Sequence, residues 1–107
     1  MKSTWKSVER RVARQLGTER TGPTGTPQPD AETSWLCVEV KHRKSLPQWL
    51  TSALAQAKQH CNERQLGIAV LHEKHGRDSL VVMSFTDFVD WFGQTRMKEE
   101  ELECTLD

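Results

Sequence analysis

The sequence predicts a mixed α/β fold, of the α+β kind, with a central mixed β-sheet flanked by helices. Three observations carry this. Residues 3–16 place apolar groups at helical spacing, and residues 34–41 alternate apolar and polar groups at strand spacing. After them comes a second helical stretch, then two short apolar runs separated by a turn signal. At 107 residues there is room for a single core. Residues 1–97 are expected to form it, with 98–107 as an acidic C-terminal tail.

In the first helix Trp5, Val8, Val12 and Leu16 make the stripe, and Gly17 can end it. Lys6, Arg10, Arg11 and Arg14 fall on the opposite side. Glu9 does not; it projects between Ala13 and Leu16, where a lone carboxylate is costly to bury. Gly17, Gly22-Pro23, Gly25-Thr26-Pro27 and Pro29 mark a loop, with room for a brief strand near Glu19–Thr21. Leu36, Val38 and Val40 alternate with Cys37, Glu39 and Lys41, giving the clearest strand one core face and one chemical face.

Ser45 is the expected cap of a second helix, with Pro47 in its first turn and an end near Gln65. Its stripe, Leu50, Ala53, Leu54, Ala57 and Cys61, is small enough for close packing on a sheet. Ile68-Ala69-Val70-Leu71 reads as a fully buried central strand. His75-Gly76-Arg77-Asp78 turns the chain, so that Leu80–Met83 returns antiparallel. Thr86 is the expected cap of a short helix, Asp87–Phe92. Phe85, Phe88, Val89, Trp91 and Phe92 exceed one narrow face, and some of them are expected to meet another subunit.

No apolar run approaches the length that crosses a bilayer, and Met1-Lys2-Ser3 opens an amphipathic segment rather than a signal peptide. A cytoplasmic location is expected, that of the host for a phage protein. Cys37, Cys61 and Cys104 are far apart and odd in number, which indicates neither a disulfide framework nor a CxxC knuckle. Formal neutrality hides an asymmetry. Residues 1–50 hold nine Lys or Arg against five Asp or Glu, and residues 51–107 six against ten. A basic face for nucleic acid is compatible with that division.

The chemistry concentrates in Pro29-Asp30 and Glu39-Val40-Lys41, with eight residues between the two carboxylates. Glu39 and Lys41 share a strand face, their Cα atoms roughly 6.6 Å apart, and a hairpin can bring Asp30 against Glu39. Two carboxylates, the Val40 backbone carbonyl and waters make the hard oxygen cage that suits Mg²⁺ or Mn²⁺. A metal there polarises a phosphoryl oxygen and supplies hydroxide at neutral pH. Lys41 can position the attacking water or balance charge on pentacovalent phosphorus. Glu9 would be the third acid, reached directly or through water. The bland reading is a solvated sheet face with a cross-strand ion pair.

In this order, a helix with a buried-side Glu9, then Pro29-Asp30, then Glu39-Val40-Lys41 on a strand, then a helix, the chain resembles the PD-(D/E)XK, or restriction-endonuclease-like, nucleases. It is most similar to the Holliday junction resolvases of archaeal and phage type. The resemblance covers roughly residues 5–92. It implies an αβββαβ restriction-endonuclease-like core, a homodimer, and Mg²⁺-dependent cleavage of four-way DNA junctions. Glu9, Asp30, Glu39 and Lys41 correspond to the family's first-helix acid, PD acid and ExK pair. Gln56 resembles the glutamine some members keep beside the metal. The serine that archaeal resolvases tend to carry before the PD motif has only Thr24 and Thr26 in its place here.

Lys41-His42-Arg43-Lys44 and the patch of Arg10, Arg11 and Arg14 are suited to phosphate contacts, which supply affinity without base specificity. Trp49, on the flank of Gln56, is either a stacking platform or core rim. His72 and His75 lack a third zinc ligand near in sequence, and there is no HExxH helix. Other readings remain: a flap-, nick- or end-acting nuclease of the same superfamily, a non-catalytic DNA-binding protein of the same fold, or a protein-interaction domain using the aromatic helix and acidic tail.

Overall fold

Thr4 opens the first helix. The Ser7 amide donates to its hydroxyl while the Thr4 amide donates to the Ser7 hydroxyl, at 3.2 and 3.1 Å, closing a capping box. The helix α1 spans Trp5–Gln15, and Gly17, at φ +78°, turns the chain out of it. A computed structural model describes residues 4–22 and 25–93. The expected helix start at residue 3, Thr24, Cys104 and the tail 98–107 lie outside the described residues.

Two compact units make up the chain, Met1–Lys44 and Ser45–Asp107. In the first, β1 (Ala31–Glu32) pairs antiparallel with β2 (Cys37–Val38), Ala31 facing Val38 and Glu32 facing Cys37. Thr33 makes the turn: its hydroxyl accepts from the amides of Trp35 and Leu36, and its own amide donates to the Leu36 carbonyl. On the other side of β1, Arg20 bridges Ala31 and the Thr21 amide donates to the Asp30 carbonyl at 2.9 Å. The core between α1 and this hairpin is made by Ala13 and Ala31, both fully buried. Two methyl side chains let helix and strand backbones approach closely.

The strand expected over 34–41 is ladder-paired only at Cys37–Val38, because β1 offers two residues to pair with. The alternation nevertheless continues: Leu36, Val38 and Val40 are half-buried, Cys37, Glu39 and Lys41 exposed. Of the α1 stripe, Val8, Val12 and Leu16 are half-buried, Glu9 and Ala13 are the buried residues, and Trp5 at the helix start departs by staying 53% exposed.

In the second unit, α2 spans Gln48–Gln59. Ser45 is not its cap. Pro47 holds that position without a side-chain bond, its carbonyl accepting from the amides of Leu50 and Thr51. The helix ends at His60 rather than Gln65. The expectation of close packing behind small residues has its counterpart at Gly67, a buried glycine where an added Cβ would meet the Lys58 Cα at 3.0 Å and the Cys61 Sγ at 3.1 Å.

The second hairpin joins β3 (Ala69–His72) to β4 (Ser79–Val82), with Ala69 facing Val82 and His72 facing Ser79. Its turn holds His75 at φ +67°. A fully buried central strand is not what forms. Ala69 is buried, but Val70 is 60% exposed and its cross-strand partner Val81 is exposed with it. The strand β3 has one partner, β4, among the described residues, so it is an edge. Ser84, not Thr86, caps the last helix, its hydroxyl accepting from the Asp87 amide at 3.2 Å. That helix, α3 (Phe85–Phe88), runs into a π-helical turn over Val89–Gly93. Phe85 stacks on Phe88, Phe88 meets Phe92 at a tilt of 45°, and Trp91 and Phe92 remain exposed. Lys58 pairs with Asp87 at 3.4 Å, tying α2 to α3.

The fold is thus a small mixed α+β arrangement, with helices and two separate two-stranded antiparallel sheets. A single central mixed sheet is not present among the described residues; each hairpin pairs with itself. No helix among them is long and apolar enough to cross a membrane.

Candidate active site

The first unit holds Glu9, Asp30, Glu39 and Lys41. Glu9 lies on the buried face of α1 at 7% exposure, toward the hairpin. Arg20 answers its charge: Nε donates to Glu9 Oε2 at 2.5 Å, with both side chains largely out of solvent. The backbone bridge to Ala31 sets Arg20 in place. A neighbouring guanidinium therefore accounts for the burial of this carboxylate without metal or water.

Asp30 ends the loop that leads into β1. Its Oδ2 accepts from the Val40 amide at 2.6 Å, so its carboxylate reaches the middle of Glu39-Val40-Lys41. Continuing the β1–β2 register by one residue sets Asp30 opposite Glu39. Glu39 and Lys41 themselves are exposed.

Two clefts flank Arg20. One, of about 430 Å³, is walled by Trp5, Lys6, Glu9, Arg20 and Asp30 with the glycine-rich loop. The other, of about 570 Å³, is walled by Arg10, Arg14, Thr18 and Arg20. Glu9 and Asp30 share the first cleft, and Glu39 and Lys41 are not in its wall. Arg10 and Arg14 share the second, so two of the three expected phosphate-binding arginines line one basic recess. Arg11, His42, Arg43 and Lys44 are exposed outside both.

Among the described residues no group of three or more His, Cys, Asp or Glu is placed to hold a metal ion. Glu9 is engaged by Arg20. What remains is Asp30, with Oδ1 beside the oxygen used by Val40, together with Glu39 and the Val40 carbonyl. That donor set fits Mg²⁺, which takes one or two carboxylates and completes its shell with water and substrate phosphate.

The remaining candidates lie in the second unit. Gln56 is exposed on α2, and Trp49 is 64% exposed in its first turn. His72 sits on β3 with Nδ1 3.2 Å from Ser79 Oγ.

Sequence reasoning missed Arg20. A signal was available: a carboxylate inside an apolar stripe demands a cation, and Arg20 is the first basic residue after α1, within the brief strand expected at Glu19–Thr21. No family model matches the chain, and no curated protein or solved structure is found to be similar to it.

Proposed function

We propose that this protein is a metal-dependent DNA endonuclease of the restriction-endonuclease-like kind, acting on branched DNA such as four-way junctions as a homodimer. The observation that carries the reading is the hydrogen bond from the Val40 amide to Asp30. It ties the Pro29-Asp30 carboxylate to the Glu39-Val40-Lys41 segment ten residues on, as a two-carboxylate site requires.

In this reading Asp30, Glu39 and the Val40 carbonyl hold Mg²⁺ or Mn²⁺, and the ion supplies Lewis-acid activation of the phosphodiester. Lys41, two residues from Glu39 and exposed, offers its ammonium to the attacking water and to the charge that builds on phosphorus. Glu9 and Arg20 act as a neutral pair behind Asp30, so Glu9 adds no uncompensated negative charge where phosphate arrives. Arg10 and Arg14, in their shared recess, with Arg11 and His42-Arg43-Lys44, grip the backbone without reading bases.

A second reading, a non-catalytic DNA-binding protein of the same fold, is favoured by one observation: Glu9 is already neutralised by Arg20. Incubating a synthetic four-way junction with and without Mg²⁺, and resolving the products on a denaturing gel, decides between them. Metal-dependent paired cuts are expected; binding without cuts selects the second reading.

A further inference from the structure

Trp5 is the side chain whose placement the fold leaves unexplained. It occupies the apolar stripe of α1 in sequence, yet its indole is 53% exposed and forms a wall of the cleft that holds Glu9 and Asp30. Two cations attend the ring: Lys6 Nζ lies 5.3 Å from its centroid and Arg20 Cζ 5.5 Å. Arg20 is committed to Glu9. Lys6 is exposed and has no carboxylate partner among the described residues. We infer that this cleft binds one unpaired nucleotide of the DNA, its base stacked on Trp5 and its phosphate met by Lys6. The inference rests on the DNA reading above and adds to it a substrate subsite.

The chemistry fits in five respects. An aromatic face beside positive charge is how single-stranded nucleic acid is gripped without sequence preference, because every base has a π-face. About 430 Å³ of space lies within the ~300–1,000 Å³ usual for small-molecule sites. Gly22 and Gly25, in the same wall, have no described atom within 4 Å of where a Cβ would stand. Gln28, in the same wall, carries both a donor and an acceptor for a base edge. Arg20 cancels the charge of Glu9, and of the other two charged groups in the wall Lys6 is left for the phosphate while Asp30 is taken up by the Val40 amide. A base paired in a duplex presents no face to stack on, so the ligand is a nucleotide at a junction, flap or end.

The test measures binding of a fluorescein-labelled thymidine octanucleotide in EDTA by anisotropy, for the wild type and for Trp5→Ala, Trp5→Phe and Lys6→Ala. Far-UV circular dichroism melts check each fold. Trp5→Ala is expected to weaken binding about tenfold and Trp5→Phe by under threefold, in line with one stacked base. Lys6→Ala is expected to reduce the salt slope by about one phosphate contact. Junction cleavage by Trp5→Ala should show a raised KM with kcat little changed. Wild-type binding that Trp5→Ala leaves intact overturns the subsite, as does absence of binding in the wild type. Should Trp5→Ala not fold, an unchanged salt slope in Lys6→Ala overturns it instead. Junction cutting together with Trp5-independent binding sinks only this subsite. Trp5-dependent binding with no Mg²⁺-dependent cutting of any DNA sinks only the nuclease reading.

Discussion

Arg20 Nε and Glu9 Oε2 meet at 2.5 Å, with Glu9 buried on α1 and Arg20 bridged to β1. The pair is the polar link between helix and hairpin in the first unit. It also faces both clefts, since Arg20 lines each of them.

Removing one member leaves the other charged and out of water. Arg20→Met is expected to cost about 3 kcal/mol of stability, near the lower end for a broken buried pair because some solvent reaches Arg20. The double variant Glu9→Leu with Arg20→Met should recover most of that loss. Urea denaturation followed by circular dichroism measures both. A double variant less stable than Arg20→Met alone would show that packing, not charge, dominates.

Asp30→Asn separates structure from chemistry. The Asn carbonyl can still accept from the Val40 amide, so stability should fall by under about 1 kcal/mol. Cleavage, which needs the negative oxygen for metal, should fall below detection while junction binding persists. Equal loss of folding and cleavage would make Asp30 a purely architectural residue.

Glu39→Gln should leave stability within about 0.5 kcal/mol, as expected for an exposed position, and abolish Mg²⁺-dependent cutting. Wild-type cleavage by this variant would falsify the two-carboxylate site.

Gly67→Ala tests the packing of α2. The new methyl would stand 3.0 Å from the Lys58 Cα, a backbone atom that cannot swing aside. A loss of about 1–3 kcal/mol is expected, read as a lowered melting temperature. An unchanged melting temperature would mean that α2 shifts freely.

Thr4→Ala removes half of the capping box that starts α1. About 1 kcal/mol should be lost, and Thr4→Ser should restore it.

Residues 36–41 were the most legible part of the chain, because period-2 alternation survives even where ladder pairing does not. The sequence allowed a hairpin to bring Asp30 against Glu39, and the contact that forms is from the Val40 amide to Asp30. Helix caps were less legible. Ser45 and Ser84 are equally good cap types, and only local backbone geometry gave the role to Ser84 while α2 began at Pro47. The apolar run Ile68–Leu71 misled because burial of a strand depends on its neighbours, and β3 has one among the described residues. Glu9 and Arg20 lie eleven residues apart and meet through a bridge no periodicity encodes.

The exposure of Trp5 is shared by Trp35, Trp49 and Trp91, and the chain has no tyrosine. Native fluorescence is consequently shifted toward long wavelength, so emission colour changes less on unfolding than in a chain with buried indoles. The same property makes the indoles sensitive to collisional quenchers, and shielding of one of them by an added oligonucleotide would stand out directly in a titration.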